Sequence, residues 1–294
     1  MISALSFSVP GLLVALGLKE EDKDSEKNPI VLAIKRALMA QSSNDIDMSN
    51  DILHEALEIA IKDRNEKAVT YIYNLLADNY AICSEYEKSE ALYKDVLSRI
   101  LSTGQHKEDD DAVIDISLQL AKIYARRKEY TKADVGYQFC VDNQERKLLK
   151  MGVRSKSAEQ LTPEEFNSMA LYGMIFDERS RYYARRFMHE KAYNDIIKAM
   201  NISVILRGEH DRNTITLIND VGVISDLNGK YDEAIKHFTR AAVLGRAVGH
   251  GDLPVYYLNL GMAQAKLGLV DEAFENCIRT SKMVVDGSGL TNPS

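Results

Sequence analysis

The densest set of side chains that could do chemistry is Arg179-Ser180-Arg181-Tyr182-Tyr183-Ala184-Arg185-Arg186. Four guanidiniums so close together could capture an acidic segment of a partner through charge-assisted hydrogen bonds. They could instead form a solvated face paired with nearby acids. Asp177 and Glu178 lie just upstream and favour that second reading. The histidines at 54, 106, 189, 210, 237 and 250 show no zinc-protease spacing. Neither a Gly-Lys-Ser/Thr phosphate loop nor a G-x-G-x-x-G after a strand is present, and no serine sits in a nucleophile-elbow context. Gly249-His250-Gly251-Asp252 reads as a turn between helices rather than a catalytic loop. Cys83, Cys140 and Cys277 are an odd number without metal-like spacing, and reduced, buried thiols are expected. The expectation is therefore a non-catalytic binding protein with no metal and no cofactor.

The elements that must carry these residues announce themselves at Asp226-Leu-Asn-Gly-Lys-Tyr-Asp-Glu-Ala234, followed by Phe238 and Ala241. Asn228-Gly229 stops one helix, because glycine tolerates the backbone that a helix end needs. Tyr231 opens the next helix, and Ala234, Phe238 and Ala241 then fall on one face at i, i+4 and i+7. Small residues at Gly222, Ala234 and Ala241 let the two helices approach closely. The same punctuation recurs at Leu76-Ala77 with Tyr86, Ser89 and Tyr93, and at Leu120-Ala121 with Tyr130, Ala133, Tyr137 and Cys140. Leu260-Gly261 with Gly268, Ala273 and Cys277 is a further copy, and weaker ones surround Ala56 and Ala199.

A unit of this kind cannot bury its apolar face alone, so it stacks on copies of itself. The pattern resembles the tetratricopeptide repeat, whose minimal unit is about 34 residues. It predicts an all-α solenoid of about six helix-turn-helix units. Ala77, Ala121, Ala133, Cys140, Gly222, Ala234, Ala241, Gly261 and Ala273 are its packing residues. In such arrays the first helix of each pair lines the inner surface. That makes Asn74, Lys122, Arg181, Arg185 and Asn219 the candidate partner-binding residues. Asn74 and Lys122 stand isolated, without the lysine and asparagine clamp of chaperone-binding arrays.

Helices are expected over residues 28–41, 48–62, 67–82, 85–101, 112–127, 131–150, 164–186, 190–207, 211–227, 254–267 and 270–285, with one more from Tyr231. Ser84-Glu85-Tyr86-Glu87 has capping-box spacing, as does Thr162-Pro163-Glu164-Glu165. Residues 152–162 read as a longer loop. No strand pattern stands out.

The balance of 44 acids against 37 lysines and arginines gives a net charge of -7, which offers nucleic acid no electrostatic footprint. Residues 1–18 are uncharged and mostly apolar, and Lys19 to Lys27 is densely charged. Eighteen helical residues span about 27 Å, just short of a bilayer's hydrocarbon core. A membrane anchor is the favoured reading, over a targeting remnant or an apolar cap on the first repeat. The expected organisation is an anchor at 1–18, a charged linker at 19–28, a repeat array at 29–286 and a flexible tail at 287–294.

Ile52-Leu-His-Glu-Ala-Leu57, Thr70-Tyr-Ile-Tyr-Asn-Leu75, and above all residues 110–124 followed by Gly136-Tyr-Gln-Phe-Cys140 resemble the tetratricopeptide repeat protein 19 family. The likeness runs from about Ala4 to Val285, and Ala4-Leu-Ser-Phe-Ser8 resembles that family's membrane segment. The resemblance implies a mitochondrial inner-membrane protein whose repeats face the matrix. Its implied partners are subunits of respiratory complex III, including the Rieske subunit. The implied task is assembly and upkeep of the complex, with clearance of N-terminal fragments of the Rieske subunit. Family members carry a basic, cleavable leader, and this chain begins close to the membrane segment. The last repeats would also suit a soluble, cargo-binding adaptor of the kinesin-light-chain type. That alternative predicts a coiled-coil partner region, and no sustained heptad run precedes the repeats.

Overall fold

A computed structural model describes residues 28–102, 107–153 and 156–287. The anchor at 1–18, nearly all of the linker at 19–28 and all but the first residue of the tail at 287–294 lie outside them. Among the described residues there are twelve α-helices and no strand. They are α1 (Pro29–Ser42), α2 (Ile46–Lys62), α3 (Glu66–Ile82), α4 (Tyr86–Ser102), α5 (Asp111–Arg126) and α6 (Tyr130–Met151). After the short 3-10 turn Ala158–Gln160 come α7 (Pro163–Arg185), α8 (His189–Arg207), α9 (Arg212–Leu227), α10 (Tyr231–Ala247), α11 (Leu253–Lys266) and α12 (Val270–Gly287). The helices group into two compact units that divide between Lys150 and Met151. In each unit, consecutive helices pair antiparallel, and successive pairs stack.

The helix starts follow from local chemistry. Asn28, Asp45, Asn65, Asp110 and Asp211 each accept backbone N–H bonds from the first turn that follows them. At Thr162 the capping box is complete: Glu165 N–H donates to Thr162 Oγ1 at 3.2 Å, and Thr162 N–H donates to Glu165 Oε2 at 2.9 Å. Ser84 behaves differently from its sequence spacing. It sits at φ 61°, and its N–H bonds back to the Ala81 carbonyl. It therefore closes α3 rather than capping α4.

That closure repeats. After α1, α2, α3, α5, α7, α9, α10 and α11 a residue in the left-handed region bonds three residues back, and the next N–H bonds five residues back. Both bonds satisfy carbonyls that the helix end would otherwise leave unpaired. Glycine fills the left-handed position at Gly229, Gly249 and Gly268. Asn44, Arg64, Ser84, Lys128 and Phe187 fill it elsewhere. This is why only part of the punctuation is visible as Asn-Gly or Gly in the sequence.

The pairs close on small residues. Ala77, Ala121, Ala133, Cys140, Ala234 and Ala241 are fully buried, and Gly222, Gly261 and Ala273 are buried too. At Gly222 an added Cβ would stand 2.6 Å from the Phe238 ring, so α9 and α10 approach closely there. Gly136 lies against Ala121 in the same manner, where a Cβ would meet the alanine's at 2.9 Å. Five tyrosines (Tyr71, Tyr93, Tyr137, Tyr182 and Tyr256) are among the largest fully buried side chains. Cys277 departs from the expectation of buried thiols: it is exposed on α12, as is Cys83 at the end of α3. Burial in a repeat slot needs a helix on both flanks, and α12 packs chiefly on α11.

Candidate partner-binding surface

In the unit from Met151 onward, a polar network links the first helices of three successive pairs. Arg181 of α7 donates to both oxygens of Asp177, one turn earlier, at 3.0 and 3.1 Å. It also donates to Asp220 of α9 at 3.0 Å. Asn219 donates to Asp220 at 3.4 Å and accepts from Asn259 of α11 at 3.0 Å. The side chains of Arg181, Asp177 and Asp220 are only 8–12% exposed. Burial pushes the Asp220 carboxyl up to about 6, Arg181 pulls it down and Asp177 pushes it up again. A buried guanidinium held between two carboxylates is a closed arrangement, because each charge already has its partner.

Arg179 takes a second closed pair. Its Nε and Nη2 donate to Asp195 of α8 at 2.7 and 3.0 Å, and both side chains are buried. Arg186 donates to the Tyr182 hydroxyl at 2.5 Å. Arg185 is exposed on the last turn of α7. The basic run is thus not one solvated face. Arg181 pairs with Asp177 as its neighbourhood in sequence suggested, whereas Arg179 is buried against an acid from the next helix.

The unit up to Lys150 carries a different polar cluster on its first helices. Asp78 of α3 accepts from Asn74 at 3.4 Å and from the Tyr93 hydroxyl of α4. Asp115 of α5 accepts from Gln119 at 3.3 Å. Burial pushes the Asp78 carboxyl up to about 6; the Tyr93 bond pulls it down, the Asp115 charge pushes it up and Lys122 pulls it down. Asp115 is raised as well, again by burial first, with Gln119 and Lys122 opposing and Asp111 adding to it. Asp111 is itself held by Lys147 at 3.1 Å and Gln144 at 3.0 Å. The Tyr71 hydroxyl lies buried in this cluster without a hydrogen-bond partner, and burial and the Asp78 charge raise its pKa.

The candidate residues therefore fall into two groups. Arg181 and Asn219 share one network through Asp220, with Arg185 at the rim of α7. Asn74 and Lys122 share the other through Asp78. The carboxylates Asp78, Asp115, Asp177 and Asp220 complete both groups, and sequence reasoning missed three of them as site residues. A signal was available. Asp78, Lys122 and Arg181 each directly follow the small buried residue of their helix, Ala77, Ala121 and Ser180. The adjacent position on an inner helix repeats a polar, charge-bearing site.

His250 is held by hydrogen bonds in the turn before α11. Its ring lies within 3.2–3.5 Å of the Arg212 carbonyl, the Tyr256 hydroxyl and Thr216, and it accepts from the Asp252 N–H at 3.1 Å. It ties α9 to α11. No group of three metal-ligating side chains occurs among the described residues.

With this geometry in view, the comparisons with known proteins decide the family. No protein-family model matches the chain. The human protein "Tetratricopeptide repeat protein 19, mitochondrial" is 31% identical over 91% of this chain and 70% of its own length. This chain belongs to the tetratricopeptide repeat protein 19 family. The rat relative of the same name is 33% identical over 82% of this chain, which spans 65% of that relative. A Drosophila melanogaster homolog, also named mitochondrial, is 21% identical over 92% of the chain. Among solved structures, BtubC (BKLC) from P. vanneervenii superposes over 93% of this chain and 96% of its own with a TM-score of 0.65 at 20% identity. The TPR-like repeats of a putative kinesin light chain from Podospora anserina superpose over 79% of this chain with a TM-score of 0.55 at 13% identity. These two likenesses establish the repeat fold of the family member and nothing beyond it.

Proposed function

We propose that this chain is a non-catalytic, membrane-anchored scaffold of mitochondria that supports the assembly and upkeep of respiratory complex III. In this reading the repeats face the matrix and bind subunits of the complex, the Rieske subunit among them. Clearance of the N-terminal fragments of that subunit depends on the scaffold rather than on a catalytic group of its own. The observation that carries the reading is membership of a family whose relatives are named mitochondrial, sustained over 91% of the chain. The polar lining of the first helices supports it, since side chains fixed by hydrogen bonds on rigid helices suit the recognition of a protein segment. No helix of the described residues is long and apolar enough to cross a membrane. In this reading the anchor is residues 1–18, which lie outside the described part.

The test is purification of complex III from cells lacking this protein. Reduced activity and a build-up of N-terminal Rieske fragments are expected. Normal activity with no fragments would overturn the reading. Carbonate extraction of mitochondrial membranes should leave the full-length chain in the pellet and release a chain lacking residues 1–18.

A further inference from the structure

We propose that the outer face of α12 is a dimer interface, on which α12 of a second copy of this chain packs antiparallel. Val270, Phe274, Cys277, Ile278 and Val284 fall along one side of α12 at helical spacing. All five are exposed, Val270 to 68% and Phe274 to 66%. A continuous apolar side of this kind marks a surface that another element covers. The preceding helix pair shows which kind of element. Counted from the small buried residues Ala234 and Ala273, Cys277, Ser281 and Val284 hold the positions of Phe238, Ala242 and Gly245 in α10. Those three residues of α10 are buried, because α11 stacks over them. Phe238 packs with Leu260 and Ala263 of α11, and a Cβ added at Gly245 would stand 3.1 Å from the Tyr256 ring. In α12 the corresponding Cys277, Ser281 and Val284 are all exposed. The shape this face accepts is therefore an antiparallel helix, as α11 is to α10.

The charges of α12 select the occupant. Asp271, Glu272 and Glu275 fall in its first half, and Arg279 and Lys282 in its second. All five are exposed, and Asp271, Glu275 and Lys282 border the apolar side. Glu275 and Arg279 meet within the helix at 3.5 Å, a surface pair worth little by itself. A two-fold axis near Cys277 and Ile278 sets the acidic half of one α12 beside the basic half of the other. Glu275 then stands opposite the partner's Lys282, and the symmetry makes the contact twice. Parallel packing would instead set like charges against each other. The helix is thus complementary to itself in one direction only, in charge as well as in its apolar side.

A dimer of this kind does not depend on the complex III reading, and either can fail with the other intact. The test is sedimentation equilibrium of the full chain in neutral detergent, with a short bis-maleimide cross-linker as the second readout. The chain should sediment at twice the monomer mass at micromolar concentration. In a Cys83→Ser background the cross-linked dimer should form, and adding Cys277→Ser should abolish it, since Cys140 is buried. Phe274→Glu changes an exposed residue, so it should melt like the parent and weaken association at least about tenfold. Glu275→Lys and Lys282→Glu should each weaken association about fivefold, and the two together should restore it to within about twofold. Removing residues 1–18 should leave the dimer in place. A monomeric chain, or a dimer that Phe274→Glu leaves intact, overturns the proposal. So does a dimer lost with residues 1–18, which would assign association to that segment. A combined charge exchange weaker than either single change would exclude the antiparallel pairing.

Discussion

The position after the small buried residue of a first helix carries opposite charges in α3 and α7. After Ser180, Arg181 is buried between Asp177 and Asp220 and closes its network from within. After Ala77, Asp78 faces a second acid, and its burial leaves the charge under-compensated. One network holds three helix pairs together. The other holds Asp78 through Asn74 and the Tyr93 hydroxyl, with Lys122 opposing the effect of its burial. The difference teaches that the position after the small buried residue can carry either sign of charge, and that neighbours across the stack decide how fully the charge is matched.

Breaking the closed network should have the largest effect. Arg181→Met strands two buried carboxylates and should cost about 3–5 kcal/mol at pH 8. Thermal melting at pH 8 and pH 5 checks this. The loss should shrink at the lower pH, because Asp220, whose carboxyl burial raises, can then take up a proton. Equal losses at both values would mean that Arg181 acts through packing alone.

Neutralising the Asp78 cluster should do the reverse. The Asp78 carboxyl is raised in the folded chain, to about 6 from an ordinary 3.8. A raised carboxyl favours folding while it is protonated, below pH 4, and that benefit is lost as pH rises through 6. Asp78→Asn removes the ionised form, so at pH 8 it should stabilise the chain by on the order of 1–2 kcal/mol. At pH 4 the variant and the parent should melt together. A variant less stable at pH 8 would show that the Tyr93 bond and Lys122 outweigh the burial.

The smallest test concerns the turns. The second unit closes three of its turns with glycine, but Phe187 takes the left-handed position between α7 and α8 at φ 59° and is 82% exposed. A side chain in that region costs roughly 1–2 kcal/mol, and glycine's extra freedom when unfolded returns part of it. Phe187→Gly should therefore raise the melting temperature by a degree or two. A fall would assign real stabilisation to the edge-on contact between Phe187 and His189 at 6.0 Å.

Much of the fold was legible before any coordinates. Ala234, Phe238 and Ala241 recur at helical spacing, and Thr162 with Glu165 spells out a helix start. The helix bounds expected from such signals agree with the structure to within two residues. Ser84 misled because capping-box spacing and a left-handed turn residue look alike in one dimension. Cys277 misled because its slot resembles that of Cys140, while only Cys140 lies between flanking helices. Asp78, Asp115 and Asp220 were passed over because acids on a helix are ordinarily solvated. Nothing local says which of them the neighbouring helix will bury.

The sequence by itself determined the repeat, its register, the small residues on which the pairs close and the family to which the chain belongs. These depend on periodicity and on side-chain volume, which are properties of residues close in the chain. Only the tertiary structure decided which charges meet. Arg181 and Asp220 lie on different helix pairs, and so do Asp78 and Asp115. Whether such charges neutralise one another depends on distances across the stack, which no local pattern encodes.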